Sequence, residues 1–288
     1  MNALAGLAIR LLLLAFALLY AIPLLIIVTH SLMSGAEIAR HFGSVYDVFD
    51  YDRLGQVSYV RYQLIPERIT LSQWRTLLFA TPVYLNHLLN SLRLSLPIVG
   101  LQVVVGATAA YGFTVWQWRF KEWLFGLYMI VMVLPFQATL VPNFIMVERL
   151  GLLGTHAGII LPWGFNPFAV FIMRQSMREI PHSVLEASQL DGASHWQRFC
   201  HVVMPLSKGG VSALVLLTFA DSWGMVEQPM VFLREQALAP LSVVLHHMGQ
   251  GEVGLIFAAS VFYMLPMVWL FLYGQAYFEQ GIKLSALK

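Results

Sequence analysis

Hydrophobic positions in this chain come in long blocks rather than in alternation. Residues 11–28, 94–118, 123–147, 150–173 and 253–278 contain no Asp, Glu, Lys or Arg. A sixth block, about 209–226, is as apolar except for Asp221. A helix rises about 1.5 Å per residue and needs about 20 apolar residues to cross a hydrocarbon core of about 30 Å. The pattern therefore predicts an all-α polytopic membrane bundle of six transmembrane helices. Continuous apolar runs favour helices over a membrane β-barrel, whose strands alternate. The first block has the length of a span, is preceded only by Arg10 and is followed by no small-x-small cleavage site. It reads as a retained helix and not as a secretory signal.

The polar interruptions divide the chain into a first transmembrane helix (1–29), an extracytoplasmic segment (30–85) and a core domain (86–288). The segment 30–85 reads as a small cap carrying Tyr46, Tyr51, Tyr59 and Tyr62. With the N-terminus inside, the cytoplasmic segments hold nine basic residues against five acids, and the opposite loops seven against nine. Basic excess on the side of the termini is the positive-inside bias, so both termini are expected in the cytoplasm.

Composition agrees. Of 288 residues, 58% are hydrophobic and 11% charged, against about 25% charged in soluble domains. A soluble enzyme, a disordered chain and a disulfide scaffold are excluded, the last because Cys200 stands alone. A dispersed net charge of +2 offers no nucleic-acid surface. Catalytic signatures are missing too. There is no Gly-Lys dipeptide for a phosphate loop, no HExxH and no GxSxG. His246 and His247 are adjacent, which on a helix points them about 100° apart and rules out an i,i+4 metal pair. Cys200 reads as a packed thiol. No metal site or cofactor is expected, and any energy must come from a partner or a gradient.

The cytoplasmic stretch 181–205 is the most informative. Pro181 suits a helix start, and Ser183 with Glu186 has the spacing of a capping box. Val184, Leu185, Ala187 and Leu190 give a short apolar face, with Ser188 beside it. Asp191-Gly192 then breaks the helix, since glycine tolerates the left-handed conformation that ends one. Ser194 can cap a second helix carrying Trp196, Phe199 and Val203, and Pro205 marks the start of the next span. A helix-turn-helix with apolar side chains on the face of a bundle is a docking surface for another protein.

Glu186-Ala187-Ser188-x-x-Asp191-Gly192-Ala193, with Pro205 further on, resembles the EAA motif of ABC importer permeases. The resemblance is to the maltose-type carbohydrate family in its shorter, six-helix branch. Asn90-Ser91, Ala109 to Phe113, Leu134-Pro135, Gly151 to Thr155, Phe219 to Trp223 and Pro240-Leu241 agree with it in order. It covers roughly residues 70–288. Two departures stand out: Ser188 replaces the motif's second alanine, and Gly224 replaces an asparagine after the tryptophan.

The resemblance implies a type I importer permease in a bacterial or archaeal plasma membrane. It implies half of a pore, paired with a second permease in a heterodimer. Two cytoplasmic ATPase subunits would bind the ATP, and an extracytoplasmic solute-binding protein would deliver a sugar or oligosaccharide. Element 182–203 would couple ATPase closure to the bundle, through Glu186, Ala187, Ser188, Asp191, Gly192, Ala193 and Pro205. The outer loop 228–252, with Gly249, Gly251 and Gly254 in its returning limb, would face the binding protein. The chain would contact lipid but no nucleic acid and would itself not be an enzyme. On the residues alone, an ion-coupled secondary transporter and a membrane hydrolase stay open. Depth arithmetic adds one expectation: Arg93 and Asp221 both fall at a height of about 18 Å in the core. Buried charges tend to pair, so the two are expected to meet in at least one transport state.

Overall fold

The computed structural model describes residues 3–47, 63, 65–116, 118–248 and 253–286. Tyr51, Tyr59, Tyr62, Gly249, Gly251 and the final Lys288 lie outside the described residues. All regular structure among the described residues is helical.

The chain runs through α1 (Ala3–His30), α2 (Gly35–Asp47) and α3 (Ser72–Arg75), which continues into a π-helical turn, Thr76–Ala80. Then follow α4 (Val83–Val115), α5 (Lys121–Val133), α6 (Phe136–Arg149), α7 (Ala157–Gly164) and α8 (Pro167–Arg178). Next come α9 (His182–Leu190), α10 (His195–Arg198), a second π turn at Phe199–Val203 and α11 (Met204–Leu206). The chain closes with α12 (Lys208–Trp223), α13 (Glu227–Phe232), α14 (Leu241–His247) and α15 (Val253–Ala286).

Four of the six expected spans are single apolar stretches long enough to cross a membrane: Gly6–His30, Val83–Val115, Ala157–Arg178 and Gly254–Gly274. The span expected over 123–147 is built as the pair α5 and α6, bent by 101°. Pro135 is the cause. The residue before a proline is pushed out of the helical region, and Leu134 and Pro135 are both extended, with ψ of 127° and 141°. The stretch His195–Leu206 meets α12 at a bend of 75°. Boundaries move as well. The second span takes in more than the charge-free block 94–118: it starts at Val83 and has 33 residues, a length of about 50 Å. The fourth starts at Ala157, because residues 150–156 form a turn in which the Gly154 N–H donates to the Phe232 carbonyl (2.8 Å).

The chain divides into two compact units. The first comprises residues 1–86 with 244–265. Its α1 shows an almost wholly exposed apolar surface, with Leu13, Leu18 and Leu19 outward, and His30 at its end stacks tilted on Phe257. Met33 and Ile38 are buried. A strap after the first helices is fastened by Glu67 N–H donating to Glu37 Oε1 (2.7 Å) and by the Arg40–Glu67 ion pair (3.3 Å).

The second unit comprises 87–243 with 266–288. Two clusters of its core lie among the described residues. One gathers Ala107, Ala110, Tyr111, Met173, Met177, Phe199, Val203 and Leu214. The other gathers Leu94, Ile98, Val147, Ile159, Met225 and Phe232. Helices α4 and α7–α8 touch closely. A Cβ at Gly164 would meet Leu101 at 2.8 Å, and one at Gly106 would meet Ala169 Cβ at the same distance. These contacts advance in the same direction along both elements, so the two run parallel. A buried polar cross-link joins them to α12: Gln102 donates to the Trp163 carbonyl and accepts from Thr218 Oγ1, both at 2.8 Å. Removing the hydroxyl strands the Gln102 oxygen. Interhelical hydrogen bonds in membrane bundles average about 0.6 kcal/mol, so Thr218→Val is expected to lower the melting temperature in detergent by about 1–2 °C. An unchanged melt would show that the bond carries no net stability.

Candidate functional site

Element 182–203 folds as two short helices about a tight turn. Helix α9 ends in a Schellman motif: Gly192 N–H donates to Gln189 O, and Ala193 N–H reaches Ser188 O, both at 3.1 Å. The motif needs a left-handed residue after the cap, and Gly192 has φ +78°. Ser188 satisfies its own hydroxyl on Leu185 O (2.7 Å), so the motif's serine leaves no unpaired polar group. The second helix starts with a full capping box, in which Ser194 and Gln197 exchange side chain to backbone bonds at 3.3 and 2.8 Å.

The capping box expected at Ser183 and Glu186 does not form. Pro181 takes the N-cap place with ψ 134° and no side-chain bond, which puts Ser183 inside the first turn, where its backbone is already helical. Beyond Phe199 the predicted second helix passes through the π turn and α11, in which Pro205 stands in the first turn.

One side of the element is anchored and the other is free. Leu185, Phe199 and Val203 pack into the core with Tyr111 and Met177, and Cys200 packs there half-buried. Phe199 meets Tyr111 edge to face at 5.3 Å. On the outer side, Glu186, Ala187, Asp191 and Gly192 are exposed, as are Leu190 (89%) and Trp196 (68%). An exposed leucine and tryptophan beside a free carboxylate on an otherwise anchored element fit a protein partner.

Sequence reasoning missed the hub that fixes this element. His195 Nδ1 lies 3.3 Å from Tyr111 Oη, 3.3 Å from Trp116 Nε1 and 3.2 Å from Arg198 Nη2. Tyr111 Oη also donates to the His195 carbonyl (3.1 Å). The polar neighbours of His195 in the sequence were the signal available, but its partners on and after α4 were not visible from them.

At the other end of the unit, the loop after α13 is tied to the start of α4. Asn90 donates to the carbonyls of Ala237 (2.7 Å) and Ala239 (3.2 Å), and Ser91 Oγ accepts from Leu241 N–H (2.9 Å). Arg93 lies beside this anchor and donates to Asn90 Oδ1 (3.2 Å). Asp221, on α12, lies next to the Trp163 indole of α7. The structure does not bring Arg93 and Asp221 together: the ion pairs among the described residues are Arg40–Glu67 and Arg174–Glu122.

The profile of the family described as "binding-protein-dependent transport system inner membrane component" matches residues 102–284. The chain is 25% identical over 284 residues to the arabinooligosaccharides transport system permease protein AraQ of Bacillus subtilis, covering 98% of this chain and 95% of that one. It is 26% identical over 196 residues to the lactose transport system permease protein LacG of Rhizobium radiobacter, covering 67% and 72%. A bacterial ABC transporter involved in the import of the acidic polysaccharide alginate has a chain of the same fold, with TM-score 0.79, 23% identity and 96% of both chains covered. The profile covers well over half of this sequence, and the chain belongs to the binding-protein-dependent transport system inner membrane components, multi-pass membrane permeases and not enzymes.

Proposed function

We propose that the chain is one permease subunit of an ATP-driven ABC importer whose cargo is a carbohydrate. Its partners are a second permease in a heterodimer, two cytoplasmic ATPase subunits and an extracytoplasmic solute-binding protein. The observation that carries this reading is the two-sided element 182–203, anchored in the core by Leu185 and Phe199 and offering Glu186, Leu190 and Trp196 outward. A rigid element joined to a bundle through a packed core transmits a rigid-body motion. Glu186, Ala187, Ser188, Asp191, Gly192, Ala193 and Pro205 are its coupling residues in this reading. The carbohydrate cargo is supported by relatives named for arabinooligosaccharides and lactose.

The parallel course of α4 and α7–α8 supports a six-span topology, because the chain between them must cross back, and α5 with α6 supplies that crossing. Both termini then lie in the cytoplasm and residues 30–85 outside. The loop after α13, held by Asn90 and Ser91, faces the binding protein.

Purification from native membranes in mild detergent is expected to bring down the ATPase subunits. Glu186→Lys is expected to weaken that association at least tenfold, the scale of one lost charge-assisted hydrogen bond. Ion-driven transport by the chain alone, with no ATPase bound, overturns the reading.

A further inference from the structure

Behind α9, on the side away from its exposed face, lies a second polar feature that the coupling role does not use. A cavity of about 280 Å³ is lined by Lys121, Glu122, Arg174, Arg178 and His182, with Phe113 and Leu185 among its apolar walls. Three permanent cations and a histidine thus surround one carboxylate. Arg174 is the unusual member. It is only 4% exposed, stacks its guanidinium 3.8 Å over the Phe125 ring and donates from Nη2 to Glu122 Oε1. Its Nε is buried with no hydrogen-bond partner among the described residues. Buried donors of a charged group are costly when left unmade. Arg178 is exposed and belongs to no ion pair among the described residues. Glu122 cannot balance the set, since one carboxylate, itself 66% exposed, faces three cations. The chemistry this arrangement selects is a compact anion with several acceptor oxygens.

We propose that this cavity binds a phosphate-bearing anion, which bridges Arg174 and Arg178 at the end of α8 to His182 at the start of α9. The bound group fixes α9 to the bundle from behind while its outer face stays free. The geometry suits arginine, whose planar fork matches phosphate oxygens. Basic pockets between membrane helices at the water boundary hold phospholipid headgroups in the same way, and a soluble phosphate offers the same oxygens. The site stands on these side chains alone and does not depend on the identity of the cargo.

The test uses the full chain, with whatever subunits accompany it, in nanodiscs. Amide hydrogen exchange over residues 182–190 is read in phosphatidylcholine alone, in phosphatidylcholine with phosphatidylglycerol, and in phosphatidylcholine with inorganic phosphate titrated against sodium chloride of equal ionic strength. Slowed exchange with phosphatidylglycerol alone assigns a lipid headgroup, and slowed exchange with inorganic phosphate assigns a soluble source. In whichever arm responds, Arg178→Gln is expected to weaken the response about tenfold, the scale of one charge-assisted hydrogen bond. Because Arg178 is exposed, the variant keeps the fold. The proposal is overturned if neither anion slows exchange, or if Arg178→Gln responds as the wild type does.

Discussion

Gly192→Pro is expected to reduce uptake to background while the bundle remains inserted and folded. Two losses coincide at this position. The backbone has φ +78°, and a proline ring holds φ at about −65°. The Gly192 N–H that closes the Schellman turn on Gln189 O is also absent in proline. The turn must reopen, and the exposed ends of α9 and α10 lose their mutual orientation. Gly192 is exposed and a Cβ added there would meet nothing within 4 Å, so the core is untouched. Gly192→Ala separates the causes: it keeps the N–H and pays only the left-handed penalty, about 1–2 kcal/mol, so partial uptake is expected. The measurement is uptake alongside ATP hydrolysis in vesicles holding the chain with its co-purified subunits. Wild-type uptake by the proline variant would remove the coupling role from 182–203.

The second large effect concerns packing against α8. A Cβ at Gly106 would lie 2.8 Å from Ala169 Cβ and 3.0 Å from its carbonyl carbon, and one at Gly210 would lie 2.4 Å from Ser176 Cβ. Neither obstacle is the loose end of a long side chain. Two helices, α4 and α12, thus rest on α8 at points two turns apart, each through a residue without a side chain. Small residues at such crossings let backbones approach, which is the main source of association where lipid competes for every apolar contact. Gly106→Ala and Gly210→Ala are each expected to cost about 1–3 kcal/mol, or a fall of about 2–12 °C in melting temperature. Gly100→Ala is the control. Gly100 lies on the same helix, a Cβ there would meet nothing within 4 Å, and the better helix former is expected to be neutral or mildly stabilising. Equal melts for Gly100→Ala and Gly106→Ala would mean that the crossing is not close in solution.

The spans were readable because apolar blocks of this length have few uses other than crossing lipid. The turn at Gly192 was readable because Asp-Gly between two apolar stretches has a local cause. Proline was not readable in the same way. Pro97, Pro142 and Pro266 lie inside continuous helices, whereas Pro135 parts α5 from α6. All four stand in apolar blocks, and whether a helix absorbs a proline or bends depends on what packs around it. His195 was unreadable for a related reason. Its partners Tyr111 and Trp116 are 84 and 79 positions away, and only the fold makes them neighbours. The heights assigned to Arg93 and Asp221 counted from predicted span ends. A count of heights says nothing of which way a side chain turns, and in this structure Arg93 turns to Asn90.

The bend at Leu134–Pro135 has a consequence for water. Helices α5 and α6 have 13 and 14 residues, or about 20 Å each, so neither alone reaches across a core of about 30 Å. In the six-span topology proposed above their junction falls at depth, where the last carbonyls of one helix and the first N–H groups of the next have no partner within their own ladders. Hydrocarbon cannot solvate such groups, and broken backbone at that depth persists only beside protein or an aqueous cavity. In the proposed assembly, the surface of the chain that carries Leu134 and Pro135 is therefore expected against protein or an aqueous cavity and not against lipid.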